Sequence, residues 1–241
     1  MRLALLALLV PLAAVASAAQ SAAQDLPDAQ AVLDAWAADW RRAAAEVESV
    51  EMDETLERVL EGPRRPFDVT AEGSVRYRRG AGPERTTRRV TVNGREVDPE
   101  RAGRRLGRAF GPAGREVAGP PPPPNALLRR VERAEIEEDR ARGRPAWRVT
   151  FRPAVGPADR VTAWFTRSER APRLLRLRAE GRRPGGSAFR EVDYVRVDGL
   201  DLPLAARAEA TVRQRRRLRE YVVTLRASAR YTGHRVVRAE E

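Results

Sequence analysis

"LREYVVTLRASARYTG", residues 218–233, alternates along its whole length. Tyr221, Val223, Leu225, Ala227, Ala229 and Tyr231 fall on one face, and Val222, Thr224, Arg226, Ser228 and Arg230 on the other. Side chains along a strand point to opposite faces with period two, so this stretch is a long β-strand with one apolar and one mostly wet face. Upstream, "VERAEIEED" (131–139), "RPAWRVTF" (144–151), "DRVTAWFTRS" (159–168), "PRLLRLRAEG" (172–181), "FREVDYVRV" (189–197) and "LDLPLAARAEATV" (200–212) repeat the theme, with Gly, Pro or Asp between them. Long neighbouring strands that share one apolar face need a partner for that face.

Further upstream, "FDVTAEGSVRY" (67–77) puts Phe67, Val69, Ala71, Val75 and Tyr77 on one side. "RTTRRVTVNGREV" (85–97) follows, with Asn93-Gly94 as its turn signal. The partner for the sheet comes before these strands. Val32, Trp36, Trp40, Ala43, Val47 and Val50 recur at intervals of three or four, which predicts an amphipathic helix capped by Asp28 and running to about residue 46. Residues 47–61 suit either more helix or a first strand. "DPERAGRRLGRAFGP" (98–112) predicts a short surface helix with Asp98 as cap and Pro99 at its first position. Pro120 to Pro124 must be polyproline II, read as a stiff connector (residues 112–124) between two halves of one sheet.

Asp198-Gly199 lies between two alternating runs, and Pro203 sits just inside the second. An Asp-Gly pair there predicts a tight hairpin, because the turn needs positive φ at both central positions. Proline gives no N–H to a sheet ladder, so Pro203 should occupy an edge, a strand start or a bulge.

The first stretch, residues 1–19, has one basic residue, then an apolar run, then small residues around Ala16 and Ala18. That is the pattern of a secretory signal peptide, which leaves residues 20–241 as a single exported domain. The chain has no cysteine, so thiolate ligands, thiol nucleophiles and acylation of this chain itself are excluded. Its 46 basic residues are all arginine and give a net charge of +12. They are spread along the strands and alternate with apolar residues, which predicts a solvated face rather than one basic patch.

Few residues suggest catalysis. His234 is the single histidine, near a strand end, and reads as a surface residue. "EIEED" (135–139) reads as a solvated strand end, and Asp198 and Asp201 as turn chemistry. Neither cluster has the spacing of a calcium loop. Phosphate-cradling and nucleophile-elbow motifs are absent. No catalytic residue, metal site or cofactor is expected, and the chain reads as a non-enzyme. "RQRRRLREY" (213–221) is the one dense basic run, and it falls at a turn, so nucleic acid is not an expected partner.

"VTAWFTRSERAPRLLRLRAEG" (161–181) and "VDYVRVDGLDLPLAARAEA" (192–210) resemble the strand–turn–strand and Pro-containing hairpin of the LolA/LolB-like family of periplasmic lipoprotein carriers. The resemblance implies an α+β fold: an open, strongly curved antiparallel half-barrel covered by an N-terminal amphipathic helix and short helices. It also implies a soluble, monomeric, periplasmic carrier that holds a lipid or lipoprotein acyl chains in an apolar cavity between sheet and helix. On this reading Trp36, Trp40, Trp147, Phe151, Val223, Leu225 and Tyr231 line the cavity, with core packing as the plain alternative for each. Envelope proteins and anionic membrane surfaces are further expected partners. Two other readings stay open: an envelope sensing or protein-interaction module on the same fold, and a carboxylate-based hydrolase or saccharide-binding protein.

Overall fold

A computed structural model describes residues 26–62, 66–101, 131–153, 158–183, 186–216 and 219–239. The expected leader (1–19), the connector (112–124) and most of the short helix after Asp98 lie outside these residues. Among the described residues, no helix is long and apolar enough to cross a membrane.

Among the described residues, one helix, α1 (Ala29–Ala45), precedes eleven strands. Asp28 caps it as expected, its carboxylate accepting the Ala31 N–H at 3.1 Å. Such a cap contributes about 1 kcal/mol. Residues 47–61, ambiguous in sequence, are strand: β1 (Val47–Glu61). Glu46 closes the helix, and from Val47 the apolar period changes from three or four to two. β2 (Phe67–Arg78), β3 (Glu84–Val92) and β4 (Arg95–Val97) follow. Asp98 accepts the Arg101 N–H at 2.8 Å, in the capping role assigned to it.

The remaining strands are β5 (Val131–Ala141), β6 (Arg144–Pro153), β7 (Arg160–Thr166), β8 (Leu174–Arg183), β9 (Gly186–Val197), β10 (Leu200–Arg216) and β11 (Arg219–Arg238). All eleven form one antiparallel sheet in the order β4-β3-β2-β1-β11-β10-β9-β8-β7-β6-β5. Two meanders meet where β11 pairs with β1, and the chain between them joins the two outermost strands, β4 and β5. The sheet is open, because those outer strands pair only inward.

It is also curled. Arg85 on β3 and Arg190 on β9 are five inter-strand steps apart, about 24 Å on a flat sheet. Yet their charges act on one another, and both act on Tyr77 of β2. The apolar faces read from sequence, including Val69 and Val75 on β2 and Leu225, Ala227, Ala229 and Tyr231 on β11, lie inside the curl. The outer face carries the expected arginines, paired across strands: Arg176 with Asp193 at 2.7 Å and Arg207 with Glu191 at 2.8 Å, for example. The exposed pairs of that face, such as Arg226 with Glu61 at 2.7 Å, add about 0–1 kcal/mol each.

The Asp198-Gly199 hairpin forms as predicted, with φ of 48° and 84°. Pro203 lies on an interior strand, at a bulge. The β9–β10 register shifts between Pro203 and Ala205, and the β10–β11 ladder begins only at Ala205. The Pro203 carbonyl points toward β11, where His234 Nε2 donates to it at 2.7 Å. In an antiparallel strand the N–H and C=O of a residue face the same side, so the missing N–H faces a gap in the ladder and breaks no bond. His234 is therefore half-buried and engaged, where the sequence suggested a surface residue. Gly233 directs it there: it takes φ 60° in a register break opposite Met52, and such bulges re-aim the next side chain.

Candidate functional site

Where α1 crosses the inner face, the packing is closed. Trp36 is 0% exposed, with Phe165 of β7 at 6.1 Å and Trp40 at 6.4 Å between ring centroids. Val32 and Leu33 bury beside it, against Val149 and Phe151 of β6 and Val192 of β9. The Trp36 indole donates to Asp201 Oδ2 at 2.8 Å. Asp201 was read as turn chemistry from its sequence. It is instead a carboxylate only 1% exposed, which also accepts the Leu174 N–H at 3.1 Å and contacts Arg196 at 3.3 Å. Arg196 in turn binds Asp39 on α1. Burial pushes the Asp201 carboxyl above the usual carboxylate range, and the Trp36, Leu174 and Arg196 donors pull it partly back.

The residues expected to line a ligand cavity therefore separate into groups. Trp36, Trp147 and Phe151 belong to the core beneath α1. This corrects the expectation of a cavity directly between helix and sheet: the Trp36 side chain fills that space. Trp40 is half-buried and bridges this core to a second one around Val50, Met52 and Tyr231, and its Nε1 has no acceptor among the described residues. Leu225 packs with Ala208 and Ala210 in a separate small cluster away from α1, and Val223 lies half-buried beyond it.

That remote part of the inner face has two features. The first is its floor of small residues. By register, one ladder row runs Leu60–Leu225–Ala210–Ala188 across β1, β11, β10 and β9. The adjacent row runs Arg58–Ala227–Ala208–Arg190 across the same strands. Alanines on three central strands, β9, β10 and β11, subtract side-chain volume from the interior of the curl.

The second feature is charge on the inner face. Glu54 is 4% exposed, binds Arg85 at 2.7 Å and accepts the Tyr231 hydroxyl. Arg58, Tyr77 and Arg190 have protein contacts of their own. Burial, aided by the Arg85 charge, lowers the Arg58 guanidinium to about 10. Burial also holds the phenols of Tyr77, Tyr194 and Tyr231 well above their usual range. The cluster was legible in principle. Arg58 keeps phase with Met52, Glu54, Leu56 and Leu60, and Arg190 with Ala188, Val192 and Tyr194. An arginine in the apolar phase is the signal, and the assumption that all arginines face water concealed it.

Other clefts are charged. One of about 540 Å³ includes Arg178, Glu180, Phe189 and Glu209 in its lining, with the Arg178 guanidinium 4.9 Å from the Phe189 ring centre. One of about 330 Å³ beside α1 is lined by Asp39, Arg42, Arg196 and Arg238 among others. "EIEED" is the outward edge of β5, where Glu138 pairs with Arg167 at 3.0 Å and Asp139 accepts the Trp164 indole at 2.9 Å. Among the described residues, no group of three or more Asp, Glu or His side chains is placed to hold a metal ion.

No family model and no curated protein matches this chain. Solved structures do. The chain is similar to a putative outer-membrane lipoprotein-sorting protein domain from Vibrio parahaemolyticus, at 10% identity and a TM-score of 0.42 over 87% of this chain and 95% of that one. It is similar to a LolA superfamily protein from Nitrosomonas europaea, at 8% identity and 0.35, over 89% and 96%. It is also similar to a chain of the Pseudomonas aeruginosa MucA/MucB complex, at 12% identity and 0.24, over 83% and 93%. What the site does is argued below from this chain's own residues.

Proposed function

We propose that the protein is a periplasmic carrier that holds the acyl chain of a lipid or lipoprotein on the inner face of the curled sheet, beyond α1. One observation carries this reading: the interior of the curl is floored by Ala188, Ala208, Ala210 and Ala227 where a closed core would place large side chains. Leu60, Val223 and Leu225 flank that floor. Transfer of apolar surface out of water contributes roughly 25 cal/mol per Å², so a chain seated there needs no chemistry to stay bound. Here α1 acts as a fixed wall of the site, because Trp36 and Asp201 tie it to the sheet. The ligand-lining set is correspondingly Val223 and Leu225 with the alanine rows.

The test is lipid extraction from the purified protein followed by mass spectrometry, with Ala210→Phe as the comparison. Co-purifying lipid in the wild type and its loss in a folded Ala210→Phe protein are expected. A lipid-free wild type that also takes up no lysolipid in solution would overturn the reading.

A further inference from the structure

The arginines run through the whole chain, but the ladders end unevenly, and one rim of the sheet collects them. The β9–β10 ladder stops at Gly186–Val212 and the β1–β11 ladder at Glu61–Thr224. β10 and β11 stay paired beyond both, as far as Arg216–Arg219. Residues 213–216 of β10 therefore run on with β11 alone, a ribbon of roughly 13 Å at the usual rise per strand residue. It holds Arg213, Arg215, Arg216 and Arg219 against a single acid, Glu220. Arg160 of β7 and Arg182 of β8 stand exposed on the same rim.

Two further features set this ribbon apart from a solvated strand end. Val222, opposite Arg213 in the register, is 52% exposed, the highest value of any large apolar side chain among the described residues. Arginines alone would keep the bare flanks of the ribbon from pairing with another chain. An exposed valine beside them works against that end. On the other face of the ribbon, the apolar track of the alanine floor continues outward. Ala208–Ala227 and Ala210–Leu225 are followed in phase by Val212–Val223 at the ribbon's base, both valines half-buried. The face assigned to the acyl chain thus leads to the basic ribbon with no polar position in between.

We propose that the β10–β11 ribbon docks the protein on an anionic lipid bilayer, its arginines meeting the headgroups and Val222 entering the interface. An anionic leaflet attracts a basic segment over about a Debye length, and a guanidinium pairs with phosphate oxygens through its fork of N–H donors. An apolar side chain among the cations adds burial to that attraction. The inference rests on the carrier reading for its purpose: docking by this rim brings Val212 and Val223, where the apolar track opens, to the membrane that supplies or receives the acyl chain.

Flotation of the purified protein with phosphatidylcholine vesicles, with and without about one-third phosphatidylglycerol, tests the docking. The wild type should bind the anionic vesicles at least about tenfold more tightly than the neutral ones, and added salt should weaken that binding. Arg213→Glu/Arg215→Glu should remove most of the preference, and Val222→Ser should weaken binding to anionic vesicles several-fold with no change in charge. Arg144→Glu/Arg173→Glu makes the same charge change at exposed positions on the opposite rim, and should leave vesicle binding within about twofold of wild type. Equal losses in the two double variants would mean attraction by net charge alone and would overturn the proposal. Equal wild-type binding to both kinds of vesicle, or to neither, would overturn it as well. Uptake of lysophosphatidylcholine in solution reports on the carrier reading separately: the ribbon variants should retain it, and its absence from the wild type would overturn the carrier while the vesicle result stands by itself.

Discussion

The Trp36 indole on α1 and the Asp201 carboxylate on β10 meet at 2.8 Å across 165 positions of sequence. This contact sets α1 on the sheet, because Asp201 is itself held by the Leu174 amide and by Arg196, which reaches back to Asp39 on the helix. Trp36→Phe keeps an aromatic ring in the core and removes the donor from a buried carboxylate. Loss of a hydrogen bond to a charged group costs about 1.5–3 kcal/mol, and the smaller ring adds to that. Urea denaturation should show the midpoint falling with little change in slope.

Two carboxyls give opposite pH signatures. Asp201 has a folded value raised by burial, so its protonation favours the folded state at low pH, and that contribution is lost as pH rises through the folded value. Asp139 has a folded value lowered chiefly by the Trp164 indole and the Arg140 amide, so its contribution is present at neutral pH and lost as pH falls through the folded value. Melting curves from pH 3 to pH 7 should therefore diverge, taking about 3.9 as the unfolded carboxyl value. Relative to wild type, Asp201→Asn should gain stability toward neutral pH, and Asp139→Asn should lose it.

Three of the phenols are closed to base. Burial holds Tyr77, Tyr194 and Tyr231 far above the ordinary tyrosine value of about 10. In ultraviolet titration these three should stay un-ionised until alkaline unfolding exposes them. Their ionisation at pH 10 in a folded sample would contradict the buried cluster.

Gly233 and His234 form a local device that the sequence alone gives little reason to suspect. A Cβ on Gly233 would stand 2.9 Å from Asp53 Oδ2, on a backbone with φ of 60°. Gly233→Ala should cost about 1–2 kcal/mol from the left-handed conformation alone. His234→Ala should cost about 1 kcal/mol by removing the donor to the Pro203 carbonyl. The double variant should cost less than the sum, because the glycine serves to aim the histidine.

Period-two alternation made the strands and their inner faces readable, and helix spacing did the same for α1. Asn93-Gly94 and Asp198-Gly199 marked their hairpins through the φ their turns require. The topology was readable only in outline, since pairing β1 with β11 is a long-range choice with no local code. At the site the limits were sharper. Trp36 lay on the predicted apolar stripe, but nothing local distinguishes a tryptophan that lines a space from one that fills it. Asp201 sits two positions after the turn pair, where an aspartate looks like turn chemistry until its distant partners are known. Arg58 and Arg190 were hidden among many arginines, although each keeps the phase of its apolar neighbours.

The pairing of β1 with β11 also has a consequence for how the chain reaches this state. These strands lie at the middle of the sheet, yet among the described strands β1 comes first in the chain and β11 last. Until β11 joins them, β1 and β10 each present a bare flank, long and rich in branched side chains, of the kind that invites association with other chains. Assembly of the sheet's centre waits until β11 has been made, and a pairing so distant in sequence slows folding.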